Sequence, residues 1–91
     1  MIYIGVKGEY EHKKKLIKYH YLVSNKDVIE LMKFGEKIGI NKKTVINNRG
    51  ERLHFEIFSS FAPLAIKQGA KEISKAEILN MIKINNDLKN F

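Results

Sequence analysis

The segment LHFEIFSSFAPLAIKQGAKEIS, residues 53–74, decides the fold that we expect for this chain. Alternating apolar side chains predict a β-strand over 53–58. Successive side chains of a strand point to opposite faces, so His54 and Glu56 share one face. The apolar run that follows predicts a short helix, which Gly69 ends. A second short strand completes the segment.

Two strands are predicted before this segment. Residues 1–6 are apolar and indicate a first strand, in which Gly5 is a weak point or bulge. Residues 7–15 are rich in charge and are expected to form a loop. Residues 16–23 indicate a second strand, and because neither of its faces is wholly polar, we expect it to lie in the centre of the sheet.

Serine residues mark the expected starts of three helices. The signals are Ser24 with Asp27, Ser59 or Ser60, and Ser74 with Glu77. The first and last pairs match the capping box. The last helix is expected to pack on the sheet through apolar residues that include Leu88, and to fray from Asn85 onward.

Residues 41–52 allow two interpretations. Residues 43–46 form a short strand that pairs with 53–58 through a turn at 47–50, or the whole segment is an ordered loop.

Together these elements predict one α+β domain over residues 1–91, with an α/β arrangement as the alternative. We expect a single mixed sheet of about four strands flanked by three helices, in the order β-β-α-(β)-β-α-β-α.

The composition limits the class of protein. The chain has 91 residues, no cysteine and a net charge of +7. Disulfides and thiolate metal sites are therefore excluded. No apolar run is long enough to span a membrane, and no signal-peptide pattern is present, so a cytoplasmic protein is expected. The positive charge indicates an acidic partner, such as nucleic acid or a nucleotide, or only a solvated surface.

The densest positive charge lies near three tyrosines. The basic residues are Lys13, Lys14, Lys15 and Lys18. Beside Tyr10, Tyr19 and Tyr21 they are suited to holding phosphates while the rings stack on bases. Ser60, at a predicted helix start, is a further candidate for binding an anion through backbone N–H groups. The alternatives are a solvated lysine run and a simple helix cap.

His20, His54 and Glu56 are the candidates for chemistry. Two imidazoles and a carboxylate suit a divalent transition metal, and His with Glu also suits general acid–base catalysis. For these residues to act together, the two histidine strands must be neighbours and present one face. We expect the two strands to be neighbours, and a polar pocket to lie at the end of the sheet near the Ser60 helix start. The alternative is structural, with Glu56 paired to Lys18 or Arg52.

The chain resembles a small phage and bacterial family known as domain of unknown function 4031. The matching stretches are 19–24, 36–40, 54–57, Ser60 with 64–65, and 69–74. The resemblance implies the fold but no established activity. It also marks differences: Gly5 stands where the family tends to have aspartate, Ser60-Phe61-Ala62 replaces Ser-Lys-Arg, and an aromatic residue is missing near Thr44.

Three functions are compatible with these observations. The favoured one is a small basic binding protein, of phage or mobile-element type, that recognises nucleic acid or a nucleotide. The first alternative is a metal-dependent phosphoester hydrolase that uses His20, His54 and Glu56. The second is a protein-interaction module that antagonises a host enzyme in the host cytoplasm. Because the acidic and basic positions of the family are replaced at Gly5 and at Phe61-Ala62, we expect binding rather than catalysis. With Gly5 in place of an acid, we expect no tightly held metal and no cofactor, and a divalent metal is the alternative.

Overall fold

A long antiparallel hairpin forms the centre of the sheet. In the computed structural model, which describes residues 1–83, strand β1 (Ile2–His12) pairs with β2 (Lys15–Ser24). Strand β3 (His54–Phe58) pairs antiparallel with β2, and β4 (Lys71–Glu72) pairs parallel with β1. The order is β3-β2-β1-β4. The predicted mixed sheet, its α+β class and the central place of β2 are confirmed.

Three helices flank the sheet within the described residues 1–83. Helices α1 (Val28–Lys37) and α2 (Ala62–Lys67) cover one face, and α3 (Lys75–Lys83) covers part of the other. The main core lies under α1 and α2. Its fully buried members are Ile4, Leu22, Leu31, Phe55 and Ala65. Under α3, Val23 packs with Ile78 and Ile82. None of the helices described within residues 1–83 is both long and apolar enough to cross a bilayer.

The hairpin is longer than the sequence predicts. Residues 7–15 were expected to form a loop, but β1 continues to His12. Only Lys13 and Lys14 form the turn, with φ angles of 50° and 66°. Positive φ at both central residues is the geometry of a type I′ turn, whose twist matches that of the flanking strands. Pairing with β2 thus keeps the charged segment extended in solvent.

A β-bulge interrupts β1 halfway along the hairpin. Val6 pairs with His20, whereas the next pair joins Gly8 to Tyr19, so Lys7 is the extra residue. Gly8 has a φ of +148°, which side-chain-bearing residues rarely adopt. The bulge changes the alternation of β1 by one residue. As a consequence, the strand presents a different set of side chains on each face beyond this point.

The start of α1 differs from the predicted capping box. Asp27 is the N-cap, and its carboxylate accepts a hydrogen bond from the Glu30 backbone N–H at 2.8 Å. Ser24 is buried and closes the preceding turn, where its hydroxyl accepts from the backbone N–H groups of Lys26 and Asp27. With Ser24 as the N-cap, the helix would begin at residue 25. With Asp27 as the N-cap it begins at Val28, three residues later.

The other two predicted caps give different outcomes. Ser74 and Glu77 form the expected reciprocal capping box. Neither Ser59 nor Ser60 caps a helix through its side chain, because both lie in a 3₁₀ turn, Ser59–Phe61, that precedes α2. Fraying from Asn85 and packing of Leu88 were also predicted, but these residues lie outside the described part of the chain.

Residues 41–52 follow the ordered-loop interpretation. A 3₁₀ turn, Lys42–Thr44, replaces the first half of the predicted strand. Ile46 makes only an isolated antiparallel bridge to His54. The edge of β3 is thereby paired at its beginning.

Candidate functional site

The two candidate histidines lie on opposite faces of the sheet. His54 is paired with Val23, and His20 is paired with Ile57. The histidine strands are neighbours, as predicted, and Glu56 shares the face of His54. Along β2, however, positions 20 and 23 differ by an odd number, so their side chains point in opposite directions. The structure therefore does not join His20 to His54 and Glu56 in one site.

The geometry also removes a third ligand from the His54 face. Gly5 is paired with Tyr21, in the same row as Glu56. A Cβ at position 5 would lie 2.7 Å from Ile78 Cγ2, so α3 occupies the space where the family resemblance places an acid. Among residues 1–83, no cluster of three or more His, Asp or Glu side chains is arranged to hold a metal ion.

His20 contacts the 3₁₀ turn that follows β3. Its Nδ1 lies 2.7 Å from Ser59 Oγ, at hydrogen-bonding distance. Burial lowers the pKa of His20, although the charge of Glu72 acts in the opposite direction. A neutral imidazole in contact with a hydroxyl ties β2 to this turn. Ser60, the predicted anion-binding residue, is exposed in the same turn.

His54 lies on the face of the sheet opposite to that of His20 and is buried there. It is 1% exposed, and its Nδ1–H donates to the Arg52 carbonyl at 2.8 Å. This bond fixes the ring, which packs edge-on against Tyr21 with centroids 5.4 Å apart. His54 Nε2 faces Glu56 Oε2 at 3.8 Å. The imidazole therefore sits directly behind the Glu56 carboxylate.

The bulge brings Lys7 onto this face. Its Nζ donates to Glu56 Oε1 at 2.5 Å. The same ammonium lies 4.9 Å from the ring centroid of Tyr10 and 5.9 and 5.8 Å from those of Tyr19 and Tyr21. Burial lowers the pKa of Lys7, but the hydrogen bond and the charge of Glu56 outweigh it and raise the pKa above its ordinary value. Lys7 is thus a cation held among aromatic rings.

The rings extend across three strands. Tyr10 and Tyr19 contact edge to face at 5.9 Å, and Tyr19 contacts Phe58 at 5.4 Å. Tyr10 is 47% exposed and Phe58 is 49% exposed, so ring surface is available to solvent. We call this surface the tyrosine face. It consists of Lys7, Tyr10, Tyr19, Tyr21, Glu56 and Phe58.

A pocket adjoins the tyrosine face at the free edge of β3. It has a volume of about 220 Å³. Its lining includes Tyr19, Glu56 and Phe58 from the sheet and Ile40 and Thr44 from the segment that follows α1. The pocket therefore combines apolar walls with a carboxylate and a hydroxyl.

The predicted lysine cluster divides between the two faces. Lys13, Lys14 and Lys15 are exposed at the hairpin tip. Lys15 lies on the same side of β2 as Tyr19, because their positions differ by four, an even number. Lys18 points to the other side and lies 3.4 Å from Glu9.

Sequence reasoning found the tyrosines but missed Lys7. Strict alternation from the start of β1 separates Lys7 from Tyr10, and only a bulge places both on one face. The signal in the sequence was Gly8, since an isolated glycine within a strand pattern often marks a bulge. Alternation along β3 places Phe58 on the face of Glu56, but its contact with Tyr19 depends on the register of β2 and β3.

Comparison with known proteins identifies a family. No curated protein and no solved structure matches the chain. The family model described as "Protein of unknown function (DUF4031)" matches residues 8–85. This range contains β2, β3 and the whole tyrosine face except Lys7. Because the match covers most of the sequence, the chain belongs to the DUF4031 family.

Proposed function

We propose that the protein binds nucleic acid or a nucleotide on its tyrosine face, with the lysines of the hairpin tip holding phosphate groups. The observation that carries this proposal is the position of Lys7. The bulge places its ammonium among the rings of Tyr10, Tyr19 and Tyr21. Exposed rings beside cations are the combination that binds bases by stacking and phosphates by charge.

The distribution of charge supports the same function. Lys7 and Glu56 neutralise each other within the face, so it is the hairpin tip that adds positive charge. Lys13, Lys14 and Lys15 are exposed there without a side chain of opposite charge beside them in the sequence. The whole chain carries a net charge of +7. Such a protein attracts polyanions, and the attraction weakens with added salt.

The geometry gives less support to the hydrolase alternative. A metal-dependent phosphoesterase needs several ligands around one ion. His20 and His54 point to opposite faces, and Ile78 fills the space beside Gly5. The remaining pair, His54 and Glu56, is joined through Glu56 to Lys7. An ammonium in this position competes with a metal cation for the carboxylate.

Titration under varied salt tests the proposed function. Purified protein is titrated with labelled single-stranded DNA, single-stranded RNA, duplex DNA and mononucleotides at several salt concentrations. Saturable binding of at least one of these, weakened by salt and by Tyr19→Ala, supports the proposal. Ile29→Ala is the matched control, because Ile29 is exposed on α1 away from this face. Absence of saturable binding to all four probes contradicts it and leaves the protein-interaction alternative.

A further inference from the structure

We infer that the nucleic acid bound by this protein is single-stranded, with successive bases stacked on Tyr10, Tyr19 and Phe58. This inference rests on the proposed function and narrows it to one class of ligand. The three rings form a continuous path across β1, β2 and β3, with centroid separations of 5.9 and 5.4 Å. A path of this kind runs across the strands, as a strand of nucleic acid does on other open sheets.

The exposed rings favour an unpaired ligand. In a duplex the faces of the bases are covered by their neighbours in the stack, and only their edges are accessible in the grooves. Aromatic side chains on a sheet therefore gain their full contact only with bases that are free to unstack. About half of the Tyr10 and Phe58 side chains is exposed, which provides the surface for that contact.

Gly8 allows the backbone conformation behind this arrangement. Its φ of +148° is one that residues with a side chain rarely adopt, whereas a Cβ there would meet Tyr10 only at an ordinary contact distance of 3.6 Å. The bulge between Val6 and Gly8 brings the Lys7 ammonium to 4.9 Å from the centroid of the Tyr10 ring. The backbone of the bulge thus brings the cation to the first ring.

The pocket at the edge of β3 provides a place for a splayed base. Tyr19 and Phe58 are its aromatic lining residues, and Thr44 is also part of the lining. Glu56 lines the pocket with a carboxylate, and carboxylates accept hydrogen bonds from the amino groups of bases. Lys15, at the hairpin tip, lies on the same face of β2 as Tyr19, four positions before it. A nucleic-acid strand that crosses the rings from β1 to β3 therefore reaches this pocket with the charged tip beside it.

Tyrosine fluorescence gives a direct test, because the chain contains four tyrosines and no tryptophan. The probes are an unstructured 12-nucleotide single strand and a hairpin duplex of the same base composition. We expect the single strand to bind at least 10-fold more tightly and to quench tyrosine emission. Tyr10→Leu and Phe58→Leu should each weaken its binding about 5- to 150-fold, the range typical for loss of one base–aromatic stack.

Ring-retaining variants serve as the matched controls. Tyr10→Phe and Tyr19→Phe keep the stacking surface, so we expect near-normal affinity for the single strand. If the duplex binds as tightly as the single strand, and Tyr10→Leu and Phe58→Leu leave affinity unchanged, the inference is overturned. In that case nucleic acid binds without stacking on these rings, and the part of the proposed function that remains is phosphate binding by the lysines of the hairpin tip. If neither probe binds, and mononucleotides also fail to bind, both the inference and the proposed function fail.

Discussion

Lys7 Nζ donates a hydrogen bond to Glu56 Oε1 at 2.5 Å, across the strand that separates β1 from β3. Both side chains are about three-quarters buried. The pair holds the ammonium 4.9 to 5.9 Å from the centroids of three tyrosine rings and keeps the carboxylate on the same face. Through this contact, the β-bulge that places Lys7 on the tyrosine face also positions the Glu56 carboxylate.

Replacing Glu56 with glutamine should lower the pKa of Lys7. In the native protein the carboxylate outweighs burial and raises this pKa. With Glu56→Gln both contributions of the carboxylate are lost and burial is opposed only by Tyr21 and Tyr10, so the pKa should fall from its native value. NMR titration of the Lys7 side chain measures the change, and Lys18, which is exposed, serves as the internal control.

The same pair sets a pH window for stability. A lysine whose pKa is raised by folding stabilises the protein below the unfolded value, about 10.5. That contribution is lost as the pH rises through the folded pKa. The stability advantage of the native protein over Glu56→Gln should therefore be present at pH 8 to 10 and shrink above this range. An advantage that grows with alkaline pH contradicts the assignment.

The hairpin tip should gain stability when its lysines are replaced. Lys13 and Lys14 both have positive φ, a conformation that suits asparagine and glycine. Lys13→Asn with Lys14→Gly should raise the free energy of unfolding by about 1 kcal/mol. The same variant should bind polyanions more weakly, since two charges are lost. Urea denaturation and a binding titration measure the two effects.

A second lysine pair provides the control for this exchange. Lys42 and Lys43 lie in a 3₁₀ turn and have no positive φ. Lys42→Asn with Lys43→Gly should therefore give no gain in stability. Equal stabilisation by both exchanges would show that the turn geometry at the tip is not the cause.

For the four clustered lysines at positions 13, 14, 15 and 18, the face on which a lysine lies should affect polyanion binding more than its charge alone. Neutralising Lys13, Lys14 and Lys15 together with glutamine should weaken binding and flatten its salt dependence. Each contact with a phosphate of a single strand contributes about 0.7 to the slope, so three lost contacts reduce it by about 2. Lys18→Gln should have a smaller effect, because Lys18 points to the opposite face beside Glu9. If Lys18→Gln and Lys15→Gln reduce affinity equally, the face on which a lysine lies does not determine its contribution to binding.

His20 should make the fold less stable at mildly acidic pH. Burial lowers its pKa in the folded state below the unfolded value of about 6.5. Between these two values the unfolded chain binds more protons, so stability falls as the pH falls through this window. His20→Gln should remove that part of the pH dependence, measured as the urea midpoint from pH 5 to 7.5. His12→Gln is the control, since His12 is exposed at the hairpin; if it has the same effect, the assignment to His20 is wrong.

Local patterns predicted most of the architecture. Alternation in 53–58 identified β3 and placed His54 and Glu56 on one face, as the register with β2 confirms. An isolated glycine within a helical pattern, here Gly35, indicates a close contact, and a Cβ there would lie 2.9 Å from Phe55. These features depend on a few neighbouring residues, so periodicity and glycine positions are enough to find them.

The site required information that alternation does not contain. The opposition of His20 and His54 depends on how β2 and β3 are aligned, and a shift of one residue would have placed both on one face. The contact between Lys7 and Tyr10 depends on a bulge between Val6 and Gly8. Charge made residues 7–15 resemble a loop, because the sequence pattern does not show that β2 pairs along their whole length.

Chemical-shift mapping tests the central claim most directly. A ¹⁵N-labelled sample is titrated with an unstructured single-stranded oligonucleotide at low salt, and amide shifts are followed residue by residue. The account predicts saturable shifts concentrated at Lys7, Tyr10, Tyr19, Glu56 and Phe58 and at the hairpin tip. Saturable shifts confined to α1 and α2 would contradict it. The absence of shifts in the presence of excess oligonucleotide would also contradict it.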